Sequence, residues 1–175
     1  MHEEIEYRHW DIRLLELEVR VAFDVLFSGP PEIDWSDPLD GESLSKFNGK
    51  KYYEVEDIIE GGVDGFPFFA LVSPQVGRYY VGGYIIFFLR KMEICRNLYP
   101  ESLCSFVVTV EYLTFMAFLR QDETVSWVAS MPRMADIVCR FLNLMMNTAG
   151  FEYEGENLNE MRAIKNSINL CKKLN

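Results

Sequence analysis

The segment EIDWSDPLDGE is the densest cluster of carboxylates in the chain, and four of its five acids could bind a metal ion. They are Asp34, Asp37, Asp40 and Glu42. Calcium loops of the EF-hand type place acids at positions one, three and five, with a glutamate at position twelve. The three aspartates here are spaced three residues apart. The sequence therefore predicts no metal site, and aspartates in this setting are typical of turns and helix caps.

A second group of acids, in YYEVEDIIEGG, could contain a pair for acid–base catalysis. The group consists of Glu54, Glu56, Asp57 and Glu60. General acid–base chemistry needs a carboxyl group with a shifted pKa beside a cleft. The spacing alone indicates a solvated helix face.

Motifs for other kinds of catalysis and cofactor binding are absent from the sequence. Ser73 lies in VSPQ rather than in a GxSxG elbow, and a serine before a proline is typical of a helix start. The only histidines are His2 and His9, no CxxC pair occurs, and neither GxGxxG nor GxxxxGK[ST] is present. We therefore predict a non-catalytic protein that uses no metal and no cofactor.

Arg78, Tyr79 and Tyr80 form the one polar cluster inside an apolar stretch. Two interpretations stay open at this point. Arg78 could be an internal hydrogen-bond anchor that pairs with an acid such as Asp64. Alternatively, the three side chains could line a pocket for a small anion or a peptide, because guanidinium and phenol groups suit such ligands.

The negative charge of the chain is concentrated in its first third. The net charge is −10, and residues 1–64 carry seventeen acids against six bases. Nucleic acid binding needs a basic face, so this charge argues against DNA or RNA as partner. The acidic segment is either a solvated surface that aids solubility or a docking surface for a basic protein.

The N-terminal half of the chain predicts short helices joined by a long loop. Residues 10–27 predict an amphipathic helix with one broad apolar stripe, formed by Leu14, Leu15, Leu17, Val19, Val21, Ala22, Val25 and Leu26. Pro30–Lys51 predicts a long acidic loop with a short helix near Glu42–Phe47. Residues 52–62 predict another short helix, and Phe66–Val72 predicts an extended segment.

The stretch LVSPQVGRYYVGGYIIFFL could be a membrane span, a phosphate loop or a buried helix. Arg78 and the pair Gly82-Gly83 disfavour a membrane span, since an arginine near the bilayer centre costs about 2.5–3.5 kcal/mol. Glycine costs roughly 1 kcal/mol in a helix, so three glycines indicate a close helix–helix approach. We predict a buried helix over residues 74–97.

The C-terminal half predicts further helices. Residues 101–120 are compatible with helix or strand, and their length favours helix. Helices are also predicted after Asp122-Glu123, from Pro132 to Met146, and over residues 157–174.

These elements predict a mainly α fold, a single compact domain of about five to seven helices. Residues 1–29 would form the N-terminal helix, residues 30–64 an acidic loop and short-helix segment, and residues 65–175 the helical core. At most one short extended segment is expected.

Three parts of the sequence resemble a family of small bacterial cytosolic proteins of unknown function. The central motif of that family, similar to F-L-T-P-E-x-x-R-Y-Y, corresponds to Phe69–Tyr84, in which Ser73, Pro74, Arg78, Tyr79 and Tyr80 match. Shorter similarities are Ala22-Phe23 with Gly29-Pro30, and Ala129–Pro132 through Phe141-Leu142. The chain departs from the family at Gln75 and Gly82-Gly83. The resemblance implies a bacterial cytosolic helical protein and no particular activity.

The functional hypothesis is an immunity- or antitoxin-like protein that neutralises a basic, nuclease-type toxin domain in the cytoplasm. The predicted partner-binding acids are Asp34, Asp37, Asp40, Glu42, Glu54, Glu56, Asp57 and Glu60. The alternative is a small enzyme or ligand-binding protein with an anion pocket at Arg78, Tyr79 and Tyr80. Neither nucleic acid nor membrane is expected as a partner, and self-association is left open.

Overall fold

The computed structural model describes residues 9–33, 41–60, 67–98, 110–147 and 155–174. Within these ranges the chain is mainly helical and contains no strand. The predicted all-α fold class is therefore confirmed.

Nine α-helices and one 3-10 turn make up the described part of the chain. In chain order the α-helices are α1 (His9–Leu26), α2 (Gly41–Ser45), α3 (Glu56–Glu60), α4 (Phe68–Leu71), α5 (Pro74–Leu98), α6 (Val110–Arg120), α7 (Asp122–Ala129), α8 (Pro132–Asn147) and α9 (Gly155–Leu174). The 3-10 turn spans Tyr52–Glu54. Nine described helices exceed the predicted five to seven. Six of them have eight or more residues, and the excess comes from three single-turn helices that all lie between α1 and α5.

Helix α5 lies at the centre of the molecule. Every side chain from Tyr79 to Leu89 is buried, and α1, α3, α6, α8 and the 3-10 turn all pack against the helix. The predicted start is confirmed, because Pro74 is the first helical residue and the Ser73 hydroxyl accepts the Val76 N–H at 3.4 Å. None of the described helices has the length and apolar character needed to cross a membrane.

The three glycines of α5 allow its neighbours to approach the helix backbone. A β-carbon added at Gly77 would lie 2.6 Å from the Phe118 ring, and one at Gly82 would lie 2.8 Å from the Phe23 ring. A β-carbon at Gly83 would overlap the backbone carbonyl of Tyr52. The predicted close helix–helix approach is confirmed at Gly77, which faces α6, and at Gly82, which faces α1, whereas the neighbour at Gly83 is the 3-10 turn.

The predicted extended segment Phe66–Val72 is wrong where the structure describes it, because Phe68–Leu71 is a helical turn. The turn directs two consecutive rings into one core. Phe68 lies 5.3 Å from Tyr80, and Phe69 lies 4.6 Å from Tyr84. An extended segment would point neighbouring side chains to opposite sides.

The C-terminal helices follow the sequence prediction. The helical interpretation of residues 101–120 is confirmed from Val110 to Arg120, and residues 101–109 lie outside the described ranges. Helices α7 and α8 occupy the predicted segments. Helix α9 packs along both of them and buries Met161, Ile164 and Ile168.

The single broad stripe predicted for α1 is wrong. Leu15, Val19 and Ala22 are buried against the core, but the other five members of the stripe are exposed: Leu14, Leu17, Val21, Val25 and Leu26. Successive residues of a helix are rotated by about 100°, so eight apolar positions cannot all face one way. Helix α1 instead carries apolar side chains on two opposite faces.

Candidate functional site

The eight predicted partner-binding acids divide into three groups. Asp34, Asp37 and Asp40 lie outside the described residues. Glu42 and Asp57 are exposed and make no ion pair within the described ranges. The remaining three, Glu54, Glu56 and Glu60, interact with neighbouring groups of the fold.

Those three acids stabilise the packing around α3 and the 3-10 turn. Glu54 accepts the backbone N–H of Lys51 at 2.9 Å, at the start of the 3-10 turn. Glu56 forms an ion pair with Arg90, and Glu60 forms one with Lys91. The described acids thus do not form one free anionic patch, and their role in partner binding stays a prediction.

Arg78 packs between α5 and α7. Its guanidinium lies 5.6 Å from the ring centre of Trp127, and one Nη donates to the Glu123 carbonyl at 3.5 Å. The Nε atom is buried and has no hydrogen-bond partner among the described residues. Asp64, the acid considered as its partner, lies outside those residues.

The two tyrosines that follow Arg78 are structural. Tyr79 is buried against Phe27 and Tyr52. Tyr80 is fully buried, and its hydroxyl is within 2.8 Å of the Phe47 carbonyl and 2.9 Å of the Lys50 carbonyl. Burial raises the pKa of Tyr80, so its hydroxyl keeps its proton and remains a donor. Tyr80 anchors the loop after α2 and Tyr79 is buried among aromatic rings, which leaves Arg78 as the accessible member of the predicted pocket.

The most exposed apolar surface in the described part of the chain lies on α1. Leu14, Leu17, Val21 and Val25 have exposed fractions of 52%, 57%, 42% and 80%. Their spacing of three and four residues places them on one side of the helix, opposite the side that enters the core. We call these four residues the outward face of α1.

Scattered apolar side chains on a protein surface are ordinary, but an aligned set is informative. Outside α1 the large exposed apolar residues of the described ranges are Ile94 on α5, Leu113 on α6, and Leu170 and Leu174 on α9. The described chain therefore concentrates its exposed apolar side chains on α1. The core of the molecule covers only one of the two apolar faces of α1, and the other face stays exposed.

Ion pairs along both edges of α1 hold the outward face in position. On one edge, Glu16 bonds Arg90 at 2.8 Å and Arg20 at 3.1 Å, which ties α1 to α5. On the other edge, Glu18 bonds Arg140 of α8 at 2.7 Å. Both contacts are partly buried. The outward face is consequently presented by a helix fixed to two neighbours.

The Glu16 carboxylate is the centre of this network. Burial raises its pKa, but the guanidiniums of Arg90 and Arg20 outweigh burial, and the net pKa is below the ordinary value of 4.5. Glu16 is therefore charged at neutral pH, and its ion pairs stabilise the folded state there.

An open groove of about 580 Å³ runs beside the outward face, between α1, α3 and the C-terminal part of α5. Its lining consists of Arg13, Glu16, Leu17, Arg20, Glu56, Arg90, Glu93 and Ile94. Leu17 belongs to both the groove and the outward face, and Ile94 is 48% exposed on the opposite side. A protein that packs on α1 would thus meet an apolar ridge and a groove with paired charges.

The sequence contained the signal for this surface, but the broad-stripe interpretation concealed it. Leu15, Val19 and Ala22 fall within about 60° of each other on a helical wheel. Leu14, Leu17, Val21 and Val25 fall on the opposite half. A helix that is apolar on both halves and charged between them predicts two contact surfaces.

Metal and thiol chemistry leave no mark on the described residues. No group of three or more His, Cys, Asp or Glu side chains that could hold a metal occurs there. Cys139 and Cys171 are free and half-buried, and burial raises the pKa of the Cys139 thiol.

Comparisons of the chain with protein-family models, with curated proteins and with solved structures found no match.

Proposed function

We propose that this protein is a non-catalytic binding protein whose partner packs on the outward face of α1. The observation that carries the proposal is the set of four aligned apolar side chains opposite the core face of the same helix. Full burial of a Leu or Val side chain contributes about 1.5–3 kcal/mol. A partner that covers these four partly exposed side chains would therefore gain a fraction of this burial free energy from each of them.

The ion pairs of α1 support this function. Association loses free energy when side chains and loops must become ordered. Glu16 and Glu18 already hold α1 against α5 and α8, so the docking helix needs no rearrangement. A pre-positioned helix face of this kind suits packing against another helix or an apolar ridge.

The charge of the chain favours a basic partner. With a net charge of −10, the protein attracts cationic molecules over several ångströms and accelerates their association. Domains that attack nucleic acids are basic because they bind phosphates. We therefore include in the proposal an immunity- or antitoxin-like role against a nuclease-type toxin in the bacterial cytoplasm, with Glu42 and Asp57 as exposed acids that steer the approach.

Two matched double variants test the proposal. Leu14→Gln with Leu17→Gln makes the outward face polar, and Leu113→Gln with Leu170→Gln makes the same change at similarly exposed positions of α6 and α9. Wild type and both variants would be used to capture proteins from a lysate of the source organism. Each captured protein would then be purified and its binding measured directly.

The proposal predicts that one basic protein binds wild type and the α6/α9 variant but does not bind the α1 variant. If both double variants bind the same proteins with equal affinity, the outward face is not the docking surface. Raising the salt concentration should slow association, and Glu42→Lys with Asp57→Lys should reduce this salt dependence.

A second candidate function is a small-anion site at Arg78. The observation that favours it is the buried Nε atom without a hydrogen-bond partner in the described chain. A thermal-shift screen with phosphate, nucleotides and carboxylates tests it. This second function requires a ligand that raises the Tm of wild type but does not raise the Tm of Arg78→Ala.

A further inference from the structure

We infer that in the absence of a partner the outward faces of two copies pack against each other, with the two α1 helices antiparallel about a two-fold axis. The order of the residues along the face supports this arrangement. When the second helix is reversed, Leu14 lies opposite Val25 of the second copy, and Leu17 lies opposite Val21 of the second copy. Each exposed apolar side chain therefore meets another one, as a two-fold interface requires.

The charges beside the face favour the antiparallel direction. Arg13 and Asp24 are eleven residues apart, almost three complete turns, and so lie along the same edge of the face. An antiparallel two-fold pair brings this edge against the same edge of the second copy. Arg13 of each copy then approaches Asp24 of the other. Asp24 is exposed, and its Oδ1 accepts the Tyr52 hydroxyl at 3.0 Å. Its second carboxylate oxygen can accept from the guanidinium, which gives two equivalent ion pairs.

A parallel pair of α1 helices would not bring Arg13 of one copy next to Asp24 of the other. It would bring the edge that holds Arg13 against the edge that holds Glu18. The Glu18 carboxylate is already bound by Arg140 at 2.7 Å and 3.3 Å. Arg13 is more available, since its side chain is 66% exposed and its one hydrogen bond within the described residues is that of 3.1 Å to Glu93.

The expected association is weak and reversible. Stable interfaces bury about 1,200–2,000 Å², more than one short apolar face from each copy supplies. Self-association would cover the apolar surface at high concentration and release it when a partner binds. This regulatory consequence rests on the proposed function, whereas the pairing itself concerns the free protein alone.

Sedimentation equilibrium on the purified protein tests the pairing, from about 10 µM to about 500 µM, where small interfaces associate. Wild type should form dimers as the concentration rises. Arg13→Asp and Asp24→Arg should each weaken dimerisation at least 10-fold, because each places like charges together at both ends of the interface. The double variant with both changes should restore dimerisation to within about 3-fold of wild type, since it exchanges the two charges.

Asp122→Arg is the control, because it makes the same charge change at an exposed position of α7. It should dimerise like wild type. A monomeric wild type over the whole range would overturn the inference, as would a double variant as weak as the single variants. Circular dichroism would verify that each variant is folded, and Leu17→Gln provides a further variant that should lose dimerisation without a change of charge.

The two proposals can fail separately. The dimer is measured with no partner present, so a monomeric wild type leaves the matched capture experiment unaffected. Conversely, a dimer that depends on Arg13 and Asp24 stands even when the two Leu→Gln double variants capture the same proteins.

Discussion

Helices α5 and α1 are both rich in apolar residues, but the molecule uses them differently. Helix α5 is enclosed on all sides from Tyr79 to Leu89, and its glycines let α1 and the 3-10 turn reach its backbone. Helix α1 buries one face and exposes the opposite one. From Tyr79 to Leu89 the apolar character of α5 is accounted for by packing within the chain, whereas that of α1 exceeds what packing requires.

The largest effect on stability is expected from Gly83→Ala in α5. The added β-carbon overlaps the carbonyl oxygen of Tyr52, which is backbone and cannot rotate away. We expect a loss of about 3 kcal/mol or more, since overpacking exceeds the gain in helix propensity of about 1 kcal/mol. Urea unfolding followed by circular dichroism measures it.

Gly29→Ala is the control for this variant, because no atom lies within 4 Å of a β-carbon at Gly29. Its stability should stay within about 0.5 kcal/mol of wild type. Equal losses of stability in Gly83→Ala and Gly29→Ala would show that α5 is less tightly enclosed than the contact at Tyr52 indicates.

Tyr80→Phe should have the next largest effect. The substitution removes a buried hydroxyl that donates to the carbonyls of Phe47 and Lys50. We expect a loss of about 1–2 kcal/mol, the usual range for a buried hydrogen bond that leaves an acceptor unpaired. Tyr53→Phe removes the hydroxyl of a half-buried ring nearby and should cost less than about 0.5 kcal/mol. Equal losses of stability in the two variants would contradict the anchoring role of Tyr80.

Arg90→Met tests the ties that hold α1 to α5. It leaves Glu16 and Glu56 without their shared arginine, and we expect a loss of about 1 kcal/mol at pH 7 from this partly exposed network. The pKa of Glu16 is lowered in the folded state. The stabilisation is therefore present above pH 4.5 and is lost as the pH falls through the folded pKa.

The difference in the free energy of unfolding between wild type and Arg90→Met should accordingly become smaller as the pH is lowered from about 7 towards about 3. Arg133→Met, at an exposed position of α8, should show no such pH dependence. A constant difference at all pH values would show that Arg90 stabilises the fold by packing rather than by charge.

The smallest effect on stability is expected from Leu14→Gln with Leu17→Gln. Both side chains are more than half exposed, and Gln is a good helix former. The free energy of unfolding should change by no more than about 0.5 kcal/mol. A loss above about 2 kcal/mol, measured at low protein concentration, would mean that the outward face contributes to the fold itself.

The sequence predicted α5 well because its signals are local. The Ser73-Pro74 start and the uncharged run from Tyr79 to Leu89 both lie within the helix itself. The site was harder to predict, since exposure depends on which face the rest of the chain covers. Burial of Leu15 and exposure of Leu14 follow from the packing of α1 on α5 and α8, which periodicity alone does not specify.

The acids show the same limit. Glu56 and Glu60 look like free surface charges in the sequence, but Arg90 and Lys91 are thirty or more residues away along the chain and bind them in the fold. The turn at Phe68–Leu71 was missed for a related reason: contacts with distant aromatic rings decide its conformation. Long-range pairing is what the sequence pattern does not contain.

The most direct test of the docking surface is the affinity of the captured partner, measured by calorimetry for wild type and for the two Leu→Gln double variants. The account predicts that Leu14→Gln with Leu17→Gln weakens binding by about 2 kcal/mol, or roughly 30-fold in Kd. The matched change on α6 and α9 should leave Kd within about 2-fold of wild type. Equal Kd values for all three proteins would contradict a partner that packs on α1.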